Sequence, residues 1–215
     1  MTQERVSENA AIRLSLYLRY LRDIREEARI SSEQLAEALG TSAARIRKDL
    51  SYFGQFGTPS KGYIAGKLRH QIEKALGLDR VWPIALVGVG KLGRALLDNL
   101  ISEKSRFRIR AGFDVNPDKI GRRIAGVKVY HPYQMPKIIR NEKIPIGMIT
   151  APAEAAQESA DLLVISGIKG ILNFSPTRVV VPSYVRSKNV DFTSQLEVMP
   201  YYIVNDRDLR RAAQD

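Results

Sequence analysis

The chain has 215 residues, no cysteine, two histidines and a formal charge of +11. Without cysteine there can be no disulfide, thiol catalysis or thiol-based redox sensing, and a structural zinc site is effectively excluded. No apolar run approaches the ~18–20 residues that span a bilayer, and the N-terminus lacks a signal peptide's apolar core. A soluble, cytoplasmic protein with an anionic partner is expected.

The first eighty residues read as helical. Ile12, Leu16, Tyr20 and Ile24 recur at four-residue spacing and predict an amphipathic helix over residues 10–27. Ser32, as N-cap, opens a second helix that Gly40 stops, and Thr41 caps a third within one or two residues. Two short helices across so tight a junction outline a helix-turn-helix. The following run, GQFGTPSKGY (54–63), has three glycines and a proline and excludes a helix. Phe56 and Tyr63 could flank a hairpin there, a β-wing with Lys61 near its tip; a plain interdomain loop is the alternative. A fourth helix is expected over 64–76, ended by Gly77.

Charge is concentrated in this half. Residues 41–70 carry Arg45, Arg47, Lys48, Lys61, Lys67 and Arg69 against the single acid Asp49, whereas residues 1–40 are close to neutral. Such a local field calls for a partner, and nucleic acid is the commonest, because neutralised phosphates release counterions.

From Trp82 the rhythm becomes alternating strands and helices. Strands are expected at 83–88, 107–114, 144–150 and 170–174, with a short one at 190–192. Helices are expected at 91–101, 132–141 (with Pro136 in the first turn) and 152–167. This alternation, with continuous apolar strands, predicts an α/β fold whose parallel sheet is covered on both faces. In the last segment Leu196, Met199, Tyr202 and Ile203 could form one helical face, with Pro200 accommodated near its start.

Gly88-Val89-Gly90-Lys91-Leu92-Gly93 lies between the first of these strands and its helix, the context that gives a GxGxxG run meaning. The first glycine permits the tight turn, the second lets backbone approach a pyrophosphate, and the third lets helix and strand pack closely. Asp114 ends the next strand, where an acid hydrogen-bonds the adenosine ribose and favours NAD(H) over NADP(H). Alternatively it only caps the turn Asn116-Pro117-Asp118. The turn Thr150-Ala151-Pro152 ends the third strand and could face the nicotinamide half of a dinucleotide, or serve as an ordinary connection. Catalysis is not expected: His131 reads as part of a solvent-facing turn, and little chain is left for a substrate domain. A bound dinucleotide would then be a signal.

With these residues in hand, the chain resembles the Rex family of redox-sensing transcriptional repressors. The most specific runs are RKDLSYFG (47–54), GVGKLG (88–93), TAPAEAAQ (150–157), GIKGILNF (167–174) and VDF (190–192). The resemblance implies a homodimer with a winged-helix DNA-binding domain (1–80), a Rossmann NAD(H)-binding domain (81–192) and a C-terminal dimerisation helix (193–215) swapped onto the partner. It implies binding to a palindromic double-stranded operator when NADH is scarce relative to NAD⁺, and release when NADH binds. DNA contacts are expected from Arg45, Arg47, Lys48 and Ser51 on the recognition helix, with Tyr52 and Lys61 near phosphates or the minor groove. The cofactor would meet the 88–93 loop, Asp114, Thr150, Ala151, Pro152, Asn173 and Phe174. Arg19 would meet Asp191 of the partner subunit in the NADH-bound state. Where some members have a tyrosine after the aspartate of the glycine-loop helix, this chain has Asn99 after Asp98. Phe192 is a candidate for reading the nicotinamide ring from the dimer interface, or is a packed core residue. A small nicotinamide-dependent oxidoreductase and a nucleotide- or coenzyme-A-binding regulatory module without a DNA role are the alternative readings.

Overall fold

The computed structural model describes residues 7–54, 62–100 and 105–205. The chain divides into two compact units, Met1–Arg80 and Val81–Asp215. Among the described residues no helix is long and apolar enough to cross a membrane.

The first unit contains α1 (Glu8–Leu21), β1 (Arg29–Ile30), α2 (Ser32–Ala38), α3 (Ala43–Ser51), β2 (Tyr63–Ile64) and α4 (Ala65–Ala75). Leu14, Tyr17, Leu18 and Leu21 of α1 pack with Leu35, Ile46, Leu50, Leu68 and Ile72 to form its core. The first helix ends six residues before the predicted boundary. The carbonyls of Glu26 and Ala28 accept from Gly66 and Ala65 N–H instead, and Arg29–Ile30 pairs antiparallel with Tyr63–Ile64. Those backbone groups are thus drawn away from helical bonding by the start of α4. The hairpin expected between Phe56 and Tyr63 falls largely on residues 55–61, outside the described ones, as does Lys61.

Both predicted caps of the helix-turn-helix are displaced by one residue. Ser31 and Gln34 form a reciprocal capping box at the start of α2, and Ser42 accepts from Arg45 N–H at the start of α3. Thr41 instead completes the end of α2: its N–H reaches the Ala36 carbonyl, and that of Gly40 reaches Glu37. Gly40 sits at φ 61°, so this is a Schellman stop.

The second unit is a seven-stranded sheet in the order β5-β6-β4-β3-β7-β8-β9. Its strands are β3 (Trp82–Val87), β4 (Phe107–Phe113), β5 (Arg123–Ile124), β6 (Val127–Tyr130), β7 (Ile146–Ile149), β8 (Gly170–Asn173) and β9 (Arg186–Asn189). From β6 to β9 the strands are parallel and follow the Rossmann order; β5 adds an antiparallel edge. The helices are α5 (Lys91–Leu100), α6 (Met135–Asn141), α7 (Ala153–Ile165) and α8 (Phe192–Asn205), and a 3-10 turn (Pro132–Gln134) precedes α6. Pro136 lies in the first turn of α6, where no N–H is needed.

One element is added and one expectation is corrected here. The β5–β6 hairpin lies where the sequence predicts no strand. Residues 190–192 are not a strand: the last strand ends at Asn189, and the Asp191 carboxylate accepts from the N–H groups of Thr193 and Ser194, starting α8 at Phe192. Pro200 consequently lies inside α8 rather than near its start, and α8 has no buried residue.

Candidate functional site

The order of the sheet reverses at β3, so the connections leaving β3 and β7 diverge and open a crevice between their carboxyl ends. A cavity of about 580 Å³ lies there, with Gly88, Gly90, Asp114, Thr150, Pro152 and Phe174 on its walls. Gly88 has φ 89°, and a Cβ on it would lie 2.9 Å from the Ala151 nitrogen and the Thr150 carbonyl carbon. A Cβ on Gly93 would collide with the Gly88 carbonyl oxygen. Only hydrogen fits at either position. Gly90 differs: a Cβ there would meet nothing within 4 Å and would stand in space left beside the start of α5. The first N–H groups of a helix lack intrahelical acceptors and carry the positive end of its dipole, so this gap suits an anionic group. Thr150 closes the arrangement from below. Its hydroxyl donates to the carbonyls of Gly88 (2.6 Å) and Val87 (3.2 Å), and its N–H bonds Val87 as well.

Asp114, at the end of β4, is buried on the cavity wall. It accepts from Val89 N–H (2.8 Å) and Lys119 Nζ (2.8 Å) on one oxygen and from Asn116 N–H (2.9 Å) on the other. Burial pushes its carboxyl up, but the bonds from Lys119, Asn116 and Val89 outweigh this and hold it below the ordinary aspartate range. Asp114 therefore caps the turn, one of its two expected roles, and also fixes the glycine loop through Val89 N–H. His131 and Tyr133 also line the cavity, and their rings stack with centroids 4.8 Å apart. His131 caps the 3-10 turn Pro132–Gln134, whose Tyr133 is exposed, so the turn faces solvent as expected and lines the cavity as well.

In the first unit, α3 buries Ile46, Asp49 and Leu50 and turns Arg45, Arg47, Lys48 and Ser51 to solvent. Arg47 is held, not free. Its guanidinium donates to Ser32 Oγ (2.8 Å) and Glu33 Oε1 (2.9 Å), tying α3 to the start of α2. Ser51 Oγ donates to the Lys48 carbonyl, and Tyr52 is exposed just beyond the helix. Asp49 anchors the buried side. Arg13 donates to both its oxygens (2.5 and 2.6 Å), and the Tyr17 hydroxyl donates at 2.7 Å. Burial raises the Asp49 carboxyl and the Arg13 and Tyr17 bonds more than compensate, leaving it ionised, while burial and Asp49 push the Tyr17 hydroxyl up.

Comparison with known proteins decides the family. A family model described as "CoA binding domain" matches residues 79–177, and one described as "Putative DNA-binding protein N-terminus" matches residues 5–51. The redox-sensing transcriptional repressor Rex of Syntrophobacter fumaroxidans is 43% identical over 195 residues, 89% of this chain and 93% of its own. Rex of Thermus thermophilus is 43% identical over 205 residues, 94% of this chain and 96% of its own. The chain belongs to the Rex family. This is a family of repressors, not enzymes. Among solved structures, that of RSP in complex with NAD⁺ and operator DNA has a TM-score of 0.83 at 36% identity and covers 98% of both chains. RSP in complex with NADH has a TM-score of 0.84 at 35% identity, covering 98% of this chain and 99% of that one.

The Rex fold brings together several of the residues expected to act on a dinucleotide and leaves others aside. Gly88, Gly90, Asp114, Thr150, Ala151, Pro152 and Phe174 share the cavity wall. Val89 is buried behind the loop with its N–H on Asp114, Gly93 is buried beneath it, and the side chains of Lys91 and Leu92 are exposed. Asn173 is fully buried and engaged within the protein. Its amide donates to the Thr177 carbonyl and to Asn189 Oδ1 and accepts from Ser175 N–H, while Phe174 and Pro176 reach the cavity. Phe192 is exposed at the start of α8, not packed in the core, and Asp191 beside it and Arg19 on α1 are exposed. Sequence reasoning missed Lys119, Tyr133 and the Asp49 anchor. Lys119 had one available signal: it closes the turn that begins at Asp114.

Proposed function

We propose that this protein is a homodimeric transcriptional repressor that binds a palindromic DNA operator when NADH is scarce and releases it when NADH binds. The observation that carries the reading is the glycine loop and Asp114 on one cavity wall at the switch point of the sheet, in a chain of the Rex family. The loop 88–93 would hold the pyrophosphate at the N-terminus of α5, Asp114 the adenosine ribose, and Thr150, Ala151, Pro152 and Phe174 the nicotinamide half. The open space beside Gly90 supports this assignment, since backbone can approach a phosphate there without obstruction. The α3 residues Arg45, Arg47, Lys48 and Ser51, with Tyr52 and Lys61 following, would contact DNA. The common exposure of Arg45, Arg47, Lys48, Ser51 and Tyr52 and the local excess of positive charge support that role.

Residues 193–215 would serve dimerisation, with Arg19 meeting Asp191 of the partner subunit in the released state and Phe192 close to the ring. The exposed apolar residues of α8 and the ionised, exposed Asp191 support this part. The protein would act in the cytoplasm. NADH and NAD⁺ differ by a hydride and a charge at the nicotinamide ring, so the discriminating contacts belong there. Release requires NADH to favour the arrangement that does not bind DNA, and linkage then requires DNA to weaken NADH by the same factor.

A filter-binding titration against a palindromic duplex, repeated with NAD⁺ and with NADH, tests the proposal. Tight binding without NADH and loss of binding with it are expected. Failure to bind any duplex at low salt and micromolar protein would overturn it.

A further inference from the structure

The acid that ends β4 is not alone on the cavity wall. Lys119 also lines the cavity, with its ammonium 2.8 Å from Asp114 Oδ2. The turn between them is fixed by backbone and side-chain bonds: Asn116 N–H to Asp114 Oδ1, Asp118 N–H to Asn116 Oδ1, and Lys119 N–H to the Asn116 carbonyl. These bonds fold the chain back so that the lysine returns over the aspartate. Its side chain is 21% exposed and that of Asp114 9%, so the pair is largely sheltered from water and little screened.

A carboxylate has about four acceptor sites. Three of those on Asp114 are filled from within the protein. An ammonium has three donors, and one of those on Lys119 lies on Asp114. A ribose diol, neutral and able to donate and accept, can use what remains on both groups. A ribose 2′-phosphate can use only the lysine's remaining donors, and would do so beside a carboxylate that already neutralises that ammonium.

We propose that Lys119 is the specificity-determining residue of the nucleotide site: Asp114 holds its ammonium in the role a 2′-phosphate would otherwise claim. The acid thus excludes NADPH twice, by repelling its phosphate and by neutralising Lys119, the one lysine or arginine that lines the cavity among the described residues. Lys119 is a latent phosphate-binding group kept engaged by its neighbour. This rests on the reading of the cavity as a dinucleotide site.

The test is titration of the full-length protein with NADH and with NADPH, followed by fluorescence, in four forms: wild type, Asp114→Asn, Lys119→Met and the double variant. Wild type is expected to prefer NADH. Asp114→Asn should shift the ratio toward NADPH by about tenfold or more, as one charge-assisted contact is gained and one repulsion lost. In the double variant most of that shift should vanish. Lys119→Met alone, which leaves every backbone bond of the turn in place, should weaken NADPH more than NADH. An equal NADPH gain with and without Lys119, or equal losses of both dinucleotides in Lys119→Met, would overturn the proposal while leaving the site assignment intact. If wild type binds neither dinucleotide, the site assignment and this inference fail together.

Discussion

Asp49 and Asp114 occupy matching positions in the two halves of the molecule. Each is buried, each accepts three hydrogen bonds, and each has a basic side chain among its donors. Their surroundings separate them. Asp49 is enclosed by Arg13 and Tyr17 of α1, and its bonds fix the helix that carries Arg45, Arg47 and Lys48. Asp114 faces a cavity and retains capacity for a ligand. Burial and a depressed carboxyl therefore do not mark a binding residue by themselves; access to open space does. One acid holds an exposed helix still from behind, and the other is itself part of a cavity wall.

The largest effect should come from Asp49. Breaking a buried ion pair on one side costs about 3 kcal/mol, and Asp49→Asn should lose that much in urea unfolding while NADH binding in the folded protein is kept. The wild-type advantage has a defined pH window. The folded-state carboxyl lies below the ordinary 3.8, so the contribution is fully present above that value and disappears as pH falls through the lower folded value. Denaturation midpoints of the two proteins should thus converge in acid; a constant difference down to the lowest pH would mean that the Asp49 charge is not what stabilises α3.

A second substitution acts on the other region. Gly93→Ala drives a methyl group into the Gly88 carbonyl and should weaken NADH by about 2 kcal/mol, the usual cost of overpacking, leaving a repressor that binds operator but needs about thirtyfold more NADH to release it. Operator binding lost along with NADH binding would show that the two regions are not separable in this way. The smallest effect is expected at Thr150. Thr150→Val removes a donor to the Gly88 carbonyl at nearly constant volume and should cost about 1 kcal/mol in NADH affinity by calorimetry. No change would place the rigidity of the loop in the glycines alone.

Much of this was legible in the sequence, because period and punctuation act locally. The strand–helix alternation, the glycine loop and the stops at Gly40 and Gly77 all follow from a few neighbouring residues. What escaped depends on partners distant in the chain or on competition between adjacent groups. Arg13 and Asp49 are 36 residues apart, and no spacing rule connects them. The hairpin of β5 and β6 is short and turns at Ala125 and Gly126, both with positive φ, leaving too few residues for a visible alternation. Asp191 reads as easily in an extended run as at a helix start, and its bonds to two backbone N–H groups decide the matter. Asn173 shares the strand end with Phe174, yet period-two geometry turns one inward and the other toward the cavity.

Asp191 has a mechanical meaning as well. Its carboxylate is the first fixed point of a fourteen-residue helix, bonded to the opening N–H groups of α8. A cation that approaches without breaking those bonds tightens the clasp; one that draws the carboxylate aside unfastens the first turn. The helix that this clasp opens is about 20 Å long, given a rise of ~1.5 Å per residue, with Pro200 within it.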